Sequence, residues 1–120
     1  MRRASILLLI ALPMLLAIIP GCGKDPAQMS DAELGLNQEQ ARGRRVFNVY
    51  CANCHPAYSS RGNKGPGLKG LFKKPYFPSG LTATDEHAIQ SVVQGRGMMP
   101  GNPEITREQA QELVAYLHTL

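Results

Sequence analysis

Hydrophobic positions along the chain follow two different regimes. Residues 6–19 read ILLLIALPMLLAII, an unbroken apolar run behind Met1-Arg2-Arg3. Beyond it the apolar residues are spaced, and three stretches repeat at helical intervals. Asn37 followed three residues later by Gln40 is a helix-start pattern, and Gly43, Phe47 and Cys51 then share one face at i, i+4, i+8. Residues 84–94 predict a second helix, with Ile89, Val92 and Val93 as its apolar stripe and Gly95 as its stop. The third is the clearest: Thr106 with Gln109 forms a capping box, and Ala110, Leu113, Val114 and Leu117 recur at i, i+3, i+4, i+7. No alternating run predicts a strand. Between the first two helices, residues 56–81 are irregular and rich in Gly, Pro and Lys. A loop that long is uncommon in a compact domain unless it is functional. The pattern predicts a small all-α fold whose long ordered loops wrap around something.

The apolar run reads as an address. A charged start, an apolar stretch of roughly 7–15 residues and a small-residue cut site make an export signal, whereas a spanning helix needs about 20 apolar residues. Pro13 in the middle of the run weakens a permanent helix further. The ending Ile19-Pro20-Gly21-Cys22 resembles a bacterial lipoprotein signal, in which the Cys becomes an acylated N-terminus. Pro20 departs from the small or hydroxyl residue usual there. Two alternatives are an uncleaved anchor helix and an ordinary cleavage near Gly21 that leaves Cys22 a bystander. All three place the remainder outside the cytoplasm. Residues 1–21 are then the signal, residues 22–36 a polar, flexible tether with no sustained period, and residues 37–120 the domain.

Composition sharpens the question of what fills the core. The chain has 120 residues, 12 Gly, 9 Pro, no Trp, 4 Tyr and 3 Phe. Once the signal and tether are set aside, about 80 residues remain, a size at which apolar burial alone is marginal and a metal, cofactor or disulfide often helps. A multidomain enzyme, a polytopic membrane protein and a repeat array are all ruled out by length.

Cys51-Ala52-Asn53-Cys54-His55 is C-x-x-C-H, the attachment signature of c-type haem. Two thiols three residues apart lie on the same side of one helical turn, and each adds across one vinyl group to give a thioether. The adjacent His turns its imidazole toward the iron. The haem is itself a large apolar disc around which a short chain can pack. Three alternatives fit less well. A redox C-x-x-C usually accompanies a βαβ pattern, which is absent. Structural zinc wants four protein ligands, and no second Cys pair exists. A disulfide across three residues is open to any exported protein, but the count argues against it. With Cys22 acylated and Cys51 and Cys54 on haem, none of the three cysteines is left over.

At this point the chain resembles a class I cytochrome c through most of residues 37–120. Gly43-x-x-x-Phe47-x-x-x-Cys51 resembles the family's first helix, where the Gly lets the last helix cross closely, and Leu113-x-x-Tyr116-Leu117 resembles the partner face on that last helix. Gly65-Pro66-Gly67-Leu68 resembles the segment in which the Pro carbonyl accepts a hydrogen bond from the axial His; a stiffened turn is the plainer role for Pro66. Gly97-Met98-Met99-Pro100 resembles the segment supplying the second axial ligand, which implies Met99, since the family's Met directly precedes Pro. Met98 competes by adjacency, and a gap-filling core residue is the ordinary fate of a Met. The GNPEI that follows departs from the apolar or aromatic residue common in the family. Tyr76 is a candidate for a haem propionate or simply a surface residue. His87, expected exposed, and His118 lie in no pattern that aims them at iron.

Charge bears on partners. The formal net charge is +4, and removal of Arg2 and Arg3 with the signal leaves +2. No Asp or Glu occurs between Gln40 and Thr84, yet Arg42, Arg44, Arg45, Arg61, Lys64, Lys69, Lys73 and Lys74 do. That basic stretch suits either an acidic docking face on a redox protein or a merely solvated surface. Nucleic acid is a poor fit in an exported chain with no base-stacking aromatic pattern. The resemblance implies a small cytochrome c fold of three main helices around one covalent haem c, with His55 and Met99 on iron. Such a protein carries single electrons at the periplasmic or outer face of a membrane, held by an acyl anchor at Cys22. With both axial positions filled it is a carrier and not an enzyme. An electron-entry subunit of a larger oxidase or dehydrogenase complex is the first alternative. A haem sensor or peroxidase-like protein with an open sixth position is the second.

Overall fold

The computed structural model describes residues 23–120; the apolar run and Cys22 lie outside the described residues. Among the described residues three helices, α1 (Gln38–Tyr50), α2 (Asp85–Gln94) and α3 (Arg107–Leu117), carry the fold. Each begins where its cap dictates. In α1 the Asn37 side chain accepts from the Gln40 amide while the Gln40 side chain accepts from the Asn37 amide, and Thr106 and Gln109 do the same for α3. Thr84 caps α2 through the His87 amide. Each such cap contributes about 1 kcal/mol by satisfying amides that have no partner within the helix. α2 stops at Gly95, whose φ of 78° an L side chain rarely adopts.

The first and last helices cross face to face. Gly43 is the contact point: a Cβ there would fall 1.8 Å from the Glu112 carbonyl oxygen, so only glycine permits this approach. Phe47 and Tyr116 pack into the crossing with ring centroids 5.5 Å apart and a 55° tilt. Around them lie Val46, Ala110, Leu113, Val114 and Leu117, with Ala88, Ile89 and Val92 added from α2. The long loop contributes Leu68 and Phe77, and Ile105 enters from the GNPEI segment.

Three details differ from the sequence expectation. A two-strand antiparallel hairpin, β1 (Gly95–Arg96) with β2 (Met99–Pro100), follows α2. It is too short for an alternating pattern, and turn chemistry alone makes it: Gly97 has φ 59° at the first central position of a two-residue turn, and among the described residues no non-glycine residue has positive φ. His87 is half-buried and not exposed. Its Nδ1 lies 3.0 Å from the Thr82 carbonyl, which ties the α2 start to the end of the loop. Residues 23–36 also carry local structure. Pro26–Gln28 form a 3-10 turn, residues 31–35 a further turn, and Leu36 packs against the core. Among the described residues no helix is long and apolar enough to cross a membrane.

Candidate cofactor site

The C-x-x-C-H segment begins where α1 ends. Cys51 is the C-cap, its amide donating to the Phe47 carbonyl at 2.8 Å, and the chain then tightens into one more turn. The Cys54 and His55 amides both donate to the Cys51 carbonyl, at 3.0 and 2.9 Å. This turn sets the two thiols and the imidazole as one unit. Both thiols are free, Cys51 buried and Cys54 half-buried. Burial pushes the Cys51 thiol up to about 11, with the neighbouring Cys54 adding to the shift. At neutral pH it is protonated, unlike the low-pKa thiolate of a disulfide-exchange site.

The loop after the motif folds back to hold His55. The Gly65 amide donates to the Cys54 carbonyl and the Leu68 amide to the Pro56 carbonyl, each at 2.9 Å. This return brings the Pro66 carbonyl to 2.9 Å from His55 Nδ1. A carbonyl only accepts, so Nδ1 carries the proton, and in the neutral ring Nε2 keeps its lone pair. Glycines make the return possible. A Cβ at Gly65 would meet His55 Cε1 at 2.5 Å, and one at Gly67 would meet the Ser59 carbonyl oxygen at 2.2 Å.

Met99 is placed by the hairpin. Gly95 and Gly101 close its base, since a Cβ on Gly95 would lie 2.5 Å from the Gly101 amide nitrogen. The Asn102 amide then caps the end of α2 through the Val92 carbonyl at 2.9 Å. Within the hairpin the two adjacent methionines part company: Met99 is half-buried and packs against the core, whereas Met98 is fully exposed at the tip.

These side chains fit a covalently attached haem. Two free thiols sit one turn apart, an imidazole is fixed in the tautomer that presents Nε2, and a half-buried thioether rests against an apolar core. They do not fit structural zinc, because among the described residues no three of His, Cys, Asp and Glu are placed to hold one metal ion. The family model described as cytochrome c oxidase, cbb3-type, subunit III matches residues 38–117. The chain belongs to this cytochrome c family. It is 30% identical over 95 residues to a cytochrome c of Chlamydomonas reinhardtii, covering 64% of this chain and 85% of that one. It is 32% identical over 80 residues to cytochrome c6 of Leptolyngbya boryana, covering 66% and 89%. A cytochrome c of Arabidopsis thaliana is 33% identical over 66 residues, 53% of this chain and 59% of the relative. No solved structure matches. The cofactor of this cytochrome is therefore haem c and its chemistry is electron transfer.

One residue beside the same motif was not singled out by the sequence pattern. Tyr58, three residues past His55, accepts a 2.9 Å hydrogen bond from the buried Tyr116 hydroxyl and so ties the loop to α3. Burial, together with that bond, pushes the Tyr116 phenol well above its ordinary value. Tyr116 had been readable as a packing residue, but its hydroxyl partner is 58 positions away and leaves no local signal. Tyr76 is 58% exposed, and His118 stacks on Phe72 at 3.9 Å and bonds Asp85 at 2.7 Å, well occupied without iron. The basic stretch divides. Arg42 pairs with Glu112 and Arg44 with Asp31, while Lys73 donates to the Leu120 carbonyl at 3.1 Å. Arg45, Arg61, Lys69 and Lys74 are exposed.

Proposed function

We propose that this cytochrome is a membrane-tethered single-electron carrier outside the cytoplasm. Cys51 and Cys54 would hold the haem by thioethers, and His55 and Met99 would supply the protein ligands to its iron. The bound group supplies one-electron exchange; the protein's part is to hold it, exclude water and set its potential. The observation that carries the reading is the His55 Nδ1 to Pro66 carbonyl bond of 2.9 Å. It fixes the ring orientation and makes the imidazole a stronger donor. Met99 supports it too: of two adjacent sulfurs, only this one packs inward. A His/Met pair raises the potential and leaves no position for substrate.

In this reading residues 1–21 are an export signal and Cys22 is the acylated N-terminus. Residues 22–36 connect it to the cytochrome domain, residues 37–120, at the periplasmic or outer face of a membrane. Exposed Arg61, Lys69 and Lys74 suit an acidic redox partner. The match to an oxidase subunit model favours one second reading, in which the same chain is the electron-entry subunit of an oxidase complex. Absorption spectra of the purified protein in both oxidation states, with and without carbon monoxide, test the ligation. A low-spin ferric spectrum with a weak far-red sulfur-to-iron band, and no carbon monoxide adduct, is expected. A high-spin spectrum with ready carbon monoxide binding overturns the carrier. Detergent solubilisation followed by sizing separates a free carrier from a complex subunit.

A further inference from the structure

The segment between the export signal and α1 has the composition of a flexible tether, yet it makes a closed set of contacts. Asp25 caps the turn at Pro26–Gln28 through the Ala27 amide at 3.0 Å. Glu33 accepts from the Ser30 amide and from Lys24 Nζ, both at 2.7 Å, which closes the segment on itself. The Gly35 amide donates to the Ala32 carbonyl at 3.1 Å and the Leu36 amide to the Asp31 carbonyl at 2.9 Å. One residue of α1 joins this unit to the domain. The Arg44 guanidinium, its side chain only 12% exposed, reaches Asp31 Oδ1 at 2.8 Å and the Ala27 carbonyl at 3.3 Å. The same Arg44 lines a cleft with Asp25, Asn48, His55 and Tyr58, so the segment rests beside the loop that follows the C-x-x-C-H motif.

We propose that residues 24–36 are a strap clasped to α1 by Arg44, which holds the cytochrome domain close to the lipid surface in one orientation. Contacts of this kind oppose the chain entropy that lets a polar linker swing, and two turns plus a part-buried guanidinium fork suffice to tip that balance. The consequence is a change in reach. A free tether from Cys22 to Asn37 extends to about 50 Å at some 3.4 Å per residue, whereas the stretch from Cys22 to Asp25 extends to only about 10 Å. The domain then samples partners in the plane of the membrane and not at a distance from it. This lipid-surface consequence rests on the anchor at Cys22 proposed above; the docking of the strap does not.

Hydrogen exchange on the full-length, haem-loaded protein in detergent micelles tests the docking. Amides of Gln28, Leu34, Gly35 and Leu36 are expected to be protected in the wild type. Asp31→Asn, which lies outside the three-helix core, is expected to speed their exchange about tenfold while α1 and α3 amides keep their rates. Arg44→Gln is expected to act alike from the other side of the clasp. Free-peptide rates across residues 25–36 in the wild type, or no change in both variants, overturn the strap. The lipid arm uses vesicles carrying a headgroup fluorophore that the haem quenches. Weaker quenching by Asp31→Asn than by the wild type is expected, and equal quenching overturns the held orientation. If neither protein binds vesicles, the anchor reading fails and the orientation with it, while the exchange data still decide the strap.

Discussion

Gly65 lies against the imidazole of His55 so closely that a Cβ would fall 2.5 Å from Cε1, 2.8 Å from Nδ1 and 3.0 Å from Nε2. The ring cannot swing away freely, because Nδ1 is held by the Pro66 carbonyl on the next residue. Gly65→Ala is therefore expected to turn the ring and break that bond. Overpacking of this kind costs about 1–3 kcal/mol. In a domain of this size each kcal/mol lowers Tm by roughly 4–8 °C. Thermal melts of the haem-loaded protein check it, and a Tm equal to wild type would show that the ring has room the geometry denies.

Met98 and Met99 differ by one position, yet Met98 is fully exposed and Met99 is half-buried against the core. Met99→Ala is expected to abolish the far-red sulfur-to-iron band, lower the reduction potential and open the iron to azide or carbon monoxide. Met98→Ala, at the exposed hairpin tip, is expected to leave all three unchanged. Loss of the band in Met98→Ala instead would move the ligand by one residue.

The crossing of α1 and α3 hangs on Gly43. With the Glu112 carbonyl in the space of its missing Cβ, Gly43→Ala must part the helices and loosen the Phe47–Tyr116 contact. A loss of about 3 kcal/mol, at the upper end for overpacking because the obstacle is backbone, is expected in denaturant unfolding. Arg42→Ala, which removes an exposed ion pair to Glu112, is expected to cost about 1 kcal/mol or less.

The segment before α1 has its own pH dependence. Lys24, the Ser30 amide and the Ser30 hydroxyl hold the Glu33 carboxyl at about 2, below its ordinary 4.5. A carboxyl depressed by folding stabilises above its unfolded pKa and loses that contribution as pH falls through the folded one. Local order at residues 24–36 is therefore expected at pH 5 and above and to fade between about pH 4.5 and 2. Carboxyl NMR titration of Glu33 and amide exchange at each pH check this; Lys24→Ala should move the loss to higher pH.

Partner docking is expected to weaken with salt, since exposed charges are screened over about 8–10 Å at physiological ionic strength. Lys73 is a poor probe because it also braces Leu120. Charge reversal at Lys69 and Lys74 is expected to slow electron transfer with the natural acceptor more than reversal at Arg107, which is paired with Glu86. Equal effects at both places would return the basic stretch to a solvated surface.

The sequence by itself determined the elements whose causes are local. Asn37/Gln40, Thr84 and Thr106/Gln109 start their helices through bonds spanning three residues, and Gly95 ends one through its own φ, so each boundary was readable from neighbouring letters. The C-x-x-C-H motif is local in the same sense, and with it the cofactor class. Tertiary structure decided whatever depends on residues far apart in the chain. That Gly43 faces Glu112, that Tyr116 bonds Tyr58 and that Arg44 clasps Asp31 follows from how helices and loops stack, and each side chain has many alternatives of equal local merit. Polar composition alone favours a loose tether over residues 22–36, because composition records solubility and not the positions of partners. The resemblance points to Met99 because Pro100 follows it, but the local letters alone do not say which of the two sulfurs turns inward. A two-residue turn with a left-handed glycine at its first position sets the parity of the strand that follows, and that parity points Met99 at the core and Met98 at solvent.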